Sequence, residues 1–206
     1  PFVWQTGGDL SNYSESGATA LAYLRGMIEE GSMSEAVSNY TQEDARTQFI
    51  TGKAAMMING PWELSTLTKD AEIEWDVAPL PKDKRAATSM GGENVVVMNG
   101  AKQSAAAVKL AKYLTSAEGA KIYCDGSGQL SSRPDLQGKL KLSSDPKLKV
   151  FEDQLQYAHA RAYGKDYPKI SEAIQLSMQE ALTGASTPEA AAKKAADTMN
   201  PLLPKN

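Results

Sequence analysis

An α/β fold is the class this sequence predicts, and three observations predict it. Helical periodicity recurs along most of the chain. Three short apolar runs are too brief for helices and read as strands. Helices and strands are intermixed along the chain, with no internal repeat, which is the pattern of α/β rather than of segregated layers.

The elements follow in order. PFVWQTGGDLSNYS reads as a short apolar piece entering a Gly-rich, polar loop. From Gly17 the pattern turns helical: Ala18, Leu21, Ala22, Leu24 and Ile28 recur at helical spacing, and Gly31 gives a stop. A second helix is expected from about Gln42 to Thr51, opened by Thr41 with Asp44 three residues later and ended by Gly52. Ala54 to Ile58 (AAMMI) is expected to be a buried strand. Pro61 opens the next helix, because proline costs nothing at a first helical position. Glu74 to Ala78 reads as a strand stopped by Pro79 and Pro81, and KDKRAATSMGG as a loop. Asn94 to Met98 (NVVVM) is the strongest strand signal, β-branched and continuous. Helices follow at about Gln103 to Leu114 and from the cap Ser116 to near Cys124. Asp145-Pro146 starts a long helix expected to reach about Ala160. ARAYGKDYP breaks the chain, Tyr167 to Leu182 is helical, and Thr187-Pro188 caps a last helix to about Met199.

Composition narrows the function. The 206 residues carry 22 Lys plus Arg against 25 Asp plus Glu, a formal net charge of −3. That balance offers no global attraction for nucleic acid. No apolar run approaches the ~18 residues that span a bilayer. One cysteine, Cys124, cannot form an internal disulfide, and one histidine, His159, cannot build a multi-histidine metal site. No metal, cofactor or catalytic residue is expected. The chain starts PFVWQ, without Met or a signal-like segment, and is expected to be a processed product or a fragment.

The segment FITGKAAMMINGPWELSTL resembles extracellular solute-binding proteins of the maltose-binding type, which serve ABC transporters. Further features agree in order: WQTGG, a helix ending EEG, a strand ending APLP, and GGENVVVM followed by AAAVKLAKYLTSAEG. The loop SGQLSSRPDL and a C-terminal helix pair joined by TGASTPEAAAKKAAD complete the set. The resemblance implies a periplasmic-binding-protein-like fold, mostly the C-terminal lobe. Members of the family are about twice this length, so most of the N-terminal lobe is missing. It further implies that residues 1–90 begin the C-terminal lobe, 91–144 hold a hinge strand and an N-terminal-lobe segment, and 145–206 form the helical end of the C-terminal lobe. With that lobe incomplete, Val95 to Tyr123 is expected to be mobile or to associate with a second copy of the chain.

Sugar recognition needs flat aromatic faces for pyranose C–H groups and planar polar groups for hydroxyls. Trp62, after a strand, Gly60 and a helix-opening Pro61, is placed to present a ring; its alternative is packing under its own helix. Gly91-Gly92-Glu93-Asn94 lets backbone approach a ligand, with Gly92, Glu93 and Asn94 as contacts, or is a plain turn. Trp4 and Gln5 form a third element, or anchor the chain end in the core. In the fourth, ARAYGKDYP, Arg161 offers a fork of donors, while Tyr163 and Tyr167 offer rings with hydroxyl tips; the family's equivalent loop lines the cleft. His159 reads as a surface or boundary residue, Cys124 and the Met56-Met57 pair as packing, and the lysines from Lys139 to Lys149 as a solvated cluster.

The function expected is the substrate-binding component of an ABC importer, capturing a sugar or oligosaccharide between two lobes and delivering it to permease subunits. Another solute, such as a polyamine or organophosphate, is the alternative, and a glycoside hydrolase built on two carboxylates a weaker one. The resemblance implies a periplasmic or extracellular location, with a lipid anchor on the missing N-terminal segment.

Overall fold

A computed structural model of the chain describes residues 1–161 and 163–204. Nine α-helices, several single 3₁₀ turns and two three-residue strands occur among the described residues. They group into two compact units. The first contains Pro1–Glu43, Leu80–Met90 and the described residues from Gln156 onward; the second contains Asp44–Pro79 and Gly91–Leu155.

The first unit is built on α1 (Phe2–Gln5), α2 (Tyr13–Glu29), α8 (Tyr167–Leu182) and α9 (Pro188–Met199). In α9, Ala191, Ala192, Ala195, Ala196 and Met199 are all buried. That i, i+1, i+4, i+5, i+8 spacing is one helix face. Its small side chains let α2 and α8 approach closely, and Leu10, Tyr13, Leu21, Ile170, Ala173 and Ala181 complete the core. A polar side-chain pair inside is satisfied, since the Tyr13 hydroxyl and Ser177 Oγ lie 2.9 Å apart. Arg25 donates from Nη1 to the Leu182 carbonyl at 2.7 Å. It thereby places a cation at the C-terminal end of α8, where the helix dipole is negative.

Local punctuation behaves as the sequence predicts. Gly31 and Gly52 follow α2 and α3 (Gln42–Ile50) in the left-handed region, with φ of 78° and 72°. Thr187 Oγ1 accepts from the Ala190 amide at 3.2 Å, and Pro188 takes the first position of α9. α2 begins at Tyr13, earlier than its apolar pattern suggests, running directly on from a 3₁₀ turn (Leu10–Asn12) that Asp9 and Asn12 cap reciprocally.

The strands depart from expectation. The single ladder among the described residues is parallel, joining β1 (Thr88–Met90) to β2 (Ala158–Ala160), with Thr88 opposite Ala158 and Met90 opposite Ala160. Ala158–Ala160 had read as the end of a long helix. Instead α7 (Pro146–Gln154) stops at Gln154, one 3₁₀ turn follows, and a pairing with residues about 70 positions away takes over. None of Ala54–Ile58, Glu74–Ala78 or Asn94–Met98 enters a ladder among the described residues. A strand needs a neighbouring strand for its N–H and C=O groups, and these segments meet none among the described residues.

The second unit holds most of α3, with α4 (Leu64–Asp70), α5 (Ser104–Leu114), α6 (Ala117–Ser127) and α7. Ser116 caps α6 by accepting from the Gly119 amide at 3.2 Å. Gly128, at φ 72°, ends that helix four residues beyond Cys124. One buried cluster is Cys124, Leu136 and Leu140, with Ala120 packed against them, and Leu64, Leu67 and Leu148 are buried as well. Much apolar surface stays open. Met56 is 85% exposed, and Val95 to Met98, Val108, Leu110, Leu114 and Ile122 are exposed as well.

Candidate functional site

In the second unit, the candidate side chain is Trp62. Asn59 Oδ1 accepts from the Gly60 amide at 2.9 Å, which holds the chain extended into Pro61. Pro61–Glu63 then forms a 3₁₀ turn that leads into α4. The Trp62 ring folds back over Gly60, and a Cβ at Gly60 would overlap the ring. Trp62 is therefore braced on a glycine, and it is 36% exposed. Beside it, Glu63 is 3% exposed and paired with Arg46, Nη1 to Oε2 at 2.9 Å. This pair ties α3 to the turn that carries the ring. Gly128 approaches the same turn from α6: a Cβ there would lie 3.3 Å from the Pro61 carbonyl oxygen. Gly91, Gly92, Glu93 and Asn94 are all exposed in an irregular segment directly after β1, with open space around Gly92.

In the first unit, several candidates converge with residues that the sequence did not single out. Trp4 and Gln5 are buried. The Trp4 ring stacks on the His159 imidazole, with centroids 4.6 Å apart and planes 14° from parallel. Gln5 Nε2 donates to the Ala87 carbonyl at 3.1 Å. Arg85 donates from Nε to the Trp4 carbonyl at 2.6 Å and from Nη2 to the Gly8 carbonyl at 2.9 Å. Asp9 gathers the cluster. Its Oδ1 accepts from Trp4 Nε1 at 3.1 Å, the Leu10 amide at 2.6 Å and the Tyr163 hydroxyl at 2.7 Å.

Electrostatics follow from those bonds. Burial alone raises the Asp9 pKa, but the donors Tyr163, Leu10 and Trp4 and the nearby His159 outweigh it and hold the carboxyl below its ordinary value. Burial, then the Asp9 carboxylate, push the Tyr163 hydroxyl up to about 12. The Tyr163 ring lies against Tyr167, with centroids 6.3 Å apart. Arg161 is exposed, and Ala162 lies outside the described residues.

Asp9 and Arg85 are the residues that sequence reasoning missed; His159, read as a surface or boundary residue, is half-buried and stacks on Trp4. Asp9 had one local signal, the D-L-S-N capping pattern. Arg85 and the stacking partner of His159 had none, since the partners lie 81 and 155 positions away in the chain. Among the described residues no group of three His, Cys, Asp or Glu side chains could hold a metal ion. No helix among them is long and apolar enough to cross a membrane.

Comparison with known proteins supplies context. The model of a family described as bacterial extracellular solute-binding protein matches residues 1–150. An ABC transporter solute-binding protein from Thermotoga lettingae TMO, solved with α-D-tagatose bound, superimposes with a TM-score of 0.86. It is 30% identical and matches 98% of this chain and 55% of its own. Maltose-bound MalE3 of T. maritima gives a TM-score of 0.81 at 28% identity, over 98% of this chain and 56% of its own. A maltooligosaccharide ABC transporter solute-binding lipoprotein of Streptococcus pneumoniae (strain TIGR4) is 29% identical over 103 residues, 48% of this chain and 24% of that protein. The chain spans about half the length of the first curated relatives it matches, 52%.

Proposed function

The chain belongs to the bacterial extracellular solute-binding protein family, and we propose that it is part of a longer binding protein that captures a sugar or oligosaccharide for an ABC importer. Half-length coverage of its relatives supports the first element of that reading. Relatives whose names carry tagatose, maltose and maltooligosaccharide support the solute class. Permease subunits are then its partners, and a periplasmic or extracellular location, with a lipid anchor on an upstream segment, fits the lipoprotein relative. Residues 1–90 and 145–206 are assigned to one lobe, and 91–144 to a hinge strand with a segment of the other.

One observation carries the reading: Trp62 is an indole braced on Gly60 and still 36% exposed. An aromatic held flat by a glycine keeps its orientation at little entropic cost and offers area to the C–H face of a pyranose. In the second unit Gly92, Glu93 and Asn94, and in the first unit Arg161, Tyr163, Trp4 and Gln5, are the further groups proposed to serve hydroxyls. A site made of such groups binds a neutral polyol without acid–base chemistry.

Calorimetric titration of the longer protein with D-tagatose, maltose and maltooligosaccharides tests the proposal. Trp62→Ala is expected to weaken binding by roughly 1–3 kcal/mol, the scale of losing an aromatic anchor. Saturable binding with no turnover supports it. Unchanged affinity in a folded Trp62→Ala protein removes Trp62 from the site, and product formation from the sugar replaces the binding reading with an enzymatic one.

A further inference from the structure

We propose that Asp9 sets the direction in which the Tyr163 hydroxyl can bond, and thereby makes this part of the site select ligand groups that donate a hydrogen, such as sugar hydroxyls, over acceptor-only anions such as phosphate esters. The proposal rests on the sugar-binding reading above, with Tyr163 facing the solute.

A phenol hydroxyl has one hydrogen to give and lone pairs to accept with. An ionised carboxylate only accepts. At 2.7 Å from Asp9 Oδ1, the single Tyr163 hydrogen is committed to Asp9, so toward anything else the Tyr163 oxygen is an acceptor. Asp9 is not free to turn away. The same oxygen takes the Leu10 amide and Trp4 Nε1, and the Asp9 amide donates to Asn12 Oδ1 at 2.7 Å. Trp4 is itself clamped, stacked on His159 and held by Arg85 at its carbonyl. The bond joins residues 154 positions apart, so it fastens the loop before α8 to the turn after α1. Tyr163 is only half-buried, which leaves part of it available to a ligand. A sugar hydroxyl can donate to such an oxygen. A phosphate oxygen cannot, and it also meets the Asp9 charge.

The test uses the longer protein and two probe pairs: maltose with maltose 1-phosphate, and D-tagatose with D-tagatose 6-phosphate. Asp9→Ser keeps an N-cap for the turn at Leu10 but withdraws the acceptor from Tyr163. The ratio of sugar to phosphate affinity is expected to fall about fivefold, the worth of one hydrogen bond. Asp9→Asn removes the charge but keeps an acceptor oxygen facing three donors, and should retain most of the ratio. In a Tyr163→Phe background, Asp9→Ser should change the ratio no further, which a double-mutant cycle reads directly. A merely structural role would weaken both probes together. An unchanged ratio in Asp9→Ser, with sugar binding intact in the parent, overturns the proposal. An equal fall in Asp9→Asn also overturns it, by assigning the selectivity to charge alone. If no sugar binds the parent, the function reading falls and this proposal with it.

Discussion

Helices α5 (SAAAVKLAKYL) and α9 (PEAAAKKAADTM) are both short, alanine-rich and lysine-bearing, yet α9 buries five residues and α5 buries none. In the first unit, α2 and α8 cover the alanine face of α9. In the second, Val108, Leu110 and Leu114 on α5 stay exposed, as do Val95 to Met98 just before it. An amphipathic pattern declares that a face needs cover; it does not say that the same chain provides it. Exposed apolar patches of this kind mark surfaces that another segment or another molecule occupies. The chain spans about half the length of its first curated relatives, and Asn94–Met98, which the sequence reads as a strand, has no ladder partner among the described residues.

The comparison can be broken by substitution. Ile170 is fully buried in the first unit and Leu110 is exposed in the second. Ile170→Ala should destabilise its unit by about 2–5 kcal/mol. Leu110→Ala should stay within about 0.5 kcal/mol. Urea unfolding followed by circular dichroism measures both, and a large loss at Leu110 would show that α5 is covered in solution.

Adding volume sharpens the contrast. Ala192, buried on α9, tolerates no extra carbons, and Ala192→Leu is expected to cost about 1–3 kcal/mol by overpacking. Ala106→Leu, on an exposed part of α5, should be near neutral, with at most a slight loss, because leucine ranks just below alanine in helix propensity.

Hydrogen exchange compares the two units without mutation. In dilute solution, amides of residues 94–114 should exchange faster than those of 170–199, by roughly two orders of magnitude, because local opening is easiest where few apolar contacts resist it. Raising the protein concentration should slow exchange at 94–114 alone if a second copy covers that face. Equal protection in both stretches at every dilution would remove the distinction.

The smallest effect expected is one of pH. The Asp9 carboxyl sits below its ordinary value in the folded chain. Its contribution to stability is therefore present above the unfolded pKa of about 4 and is lost as pH falls through the folded value. Asp9 is partly solvated, so the loss is small. Thermal melts between pH 7 and pH 3 should show the first unit of the parent losing slightly more stability than that of Asp9→Asn. An identical pH dependence would mean that the Tyr163 and Trp4 bonds do not favour the ionised form.

How much was legible divides by distance along the chain. Thr187-Pro188, Ser116, Asp145-Pro146, Gly31 and Gly52 are local signals, and the starts and stops they mark lie where the pattern puts them, although α7 ends at Gln154 rather than near Ala160 and α2 begins at Tyr13 rather than Gly17. Ala158–Ala160 misled, because a helix and a strand compete on the same three residues and only Thr88–Met90 decides between them. At the candidate site, Gly60-Pro61-Trp62 could be read directly, since glycine, proline and indole act on one another within three residues. Asp9 could not, because two of the three donors on its Oδ1 come from side chains elsewhere, one of them 154 residues away.

The amino-acid sequence by itself determined the helices, their caps and stops, the family, and the turn that presents Trp62. Each depends on neighbours within a few residues or on ordered motifs, where backbone geometry and capping bonds act locally. Tertiary structure alone decided which apolar faces are covered, that Thr88–Met90 and Ala158–Ala160 pair as strands, and that Trp4, His159, Asp9, Arg85 and Tyr163 form one cluster. Those outcomes depend on groups that the chain brings together only after folding, and burial and hydrogen bonding between distant residues leave no local pattern to read.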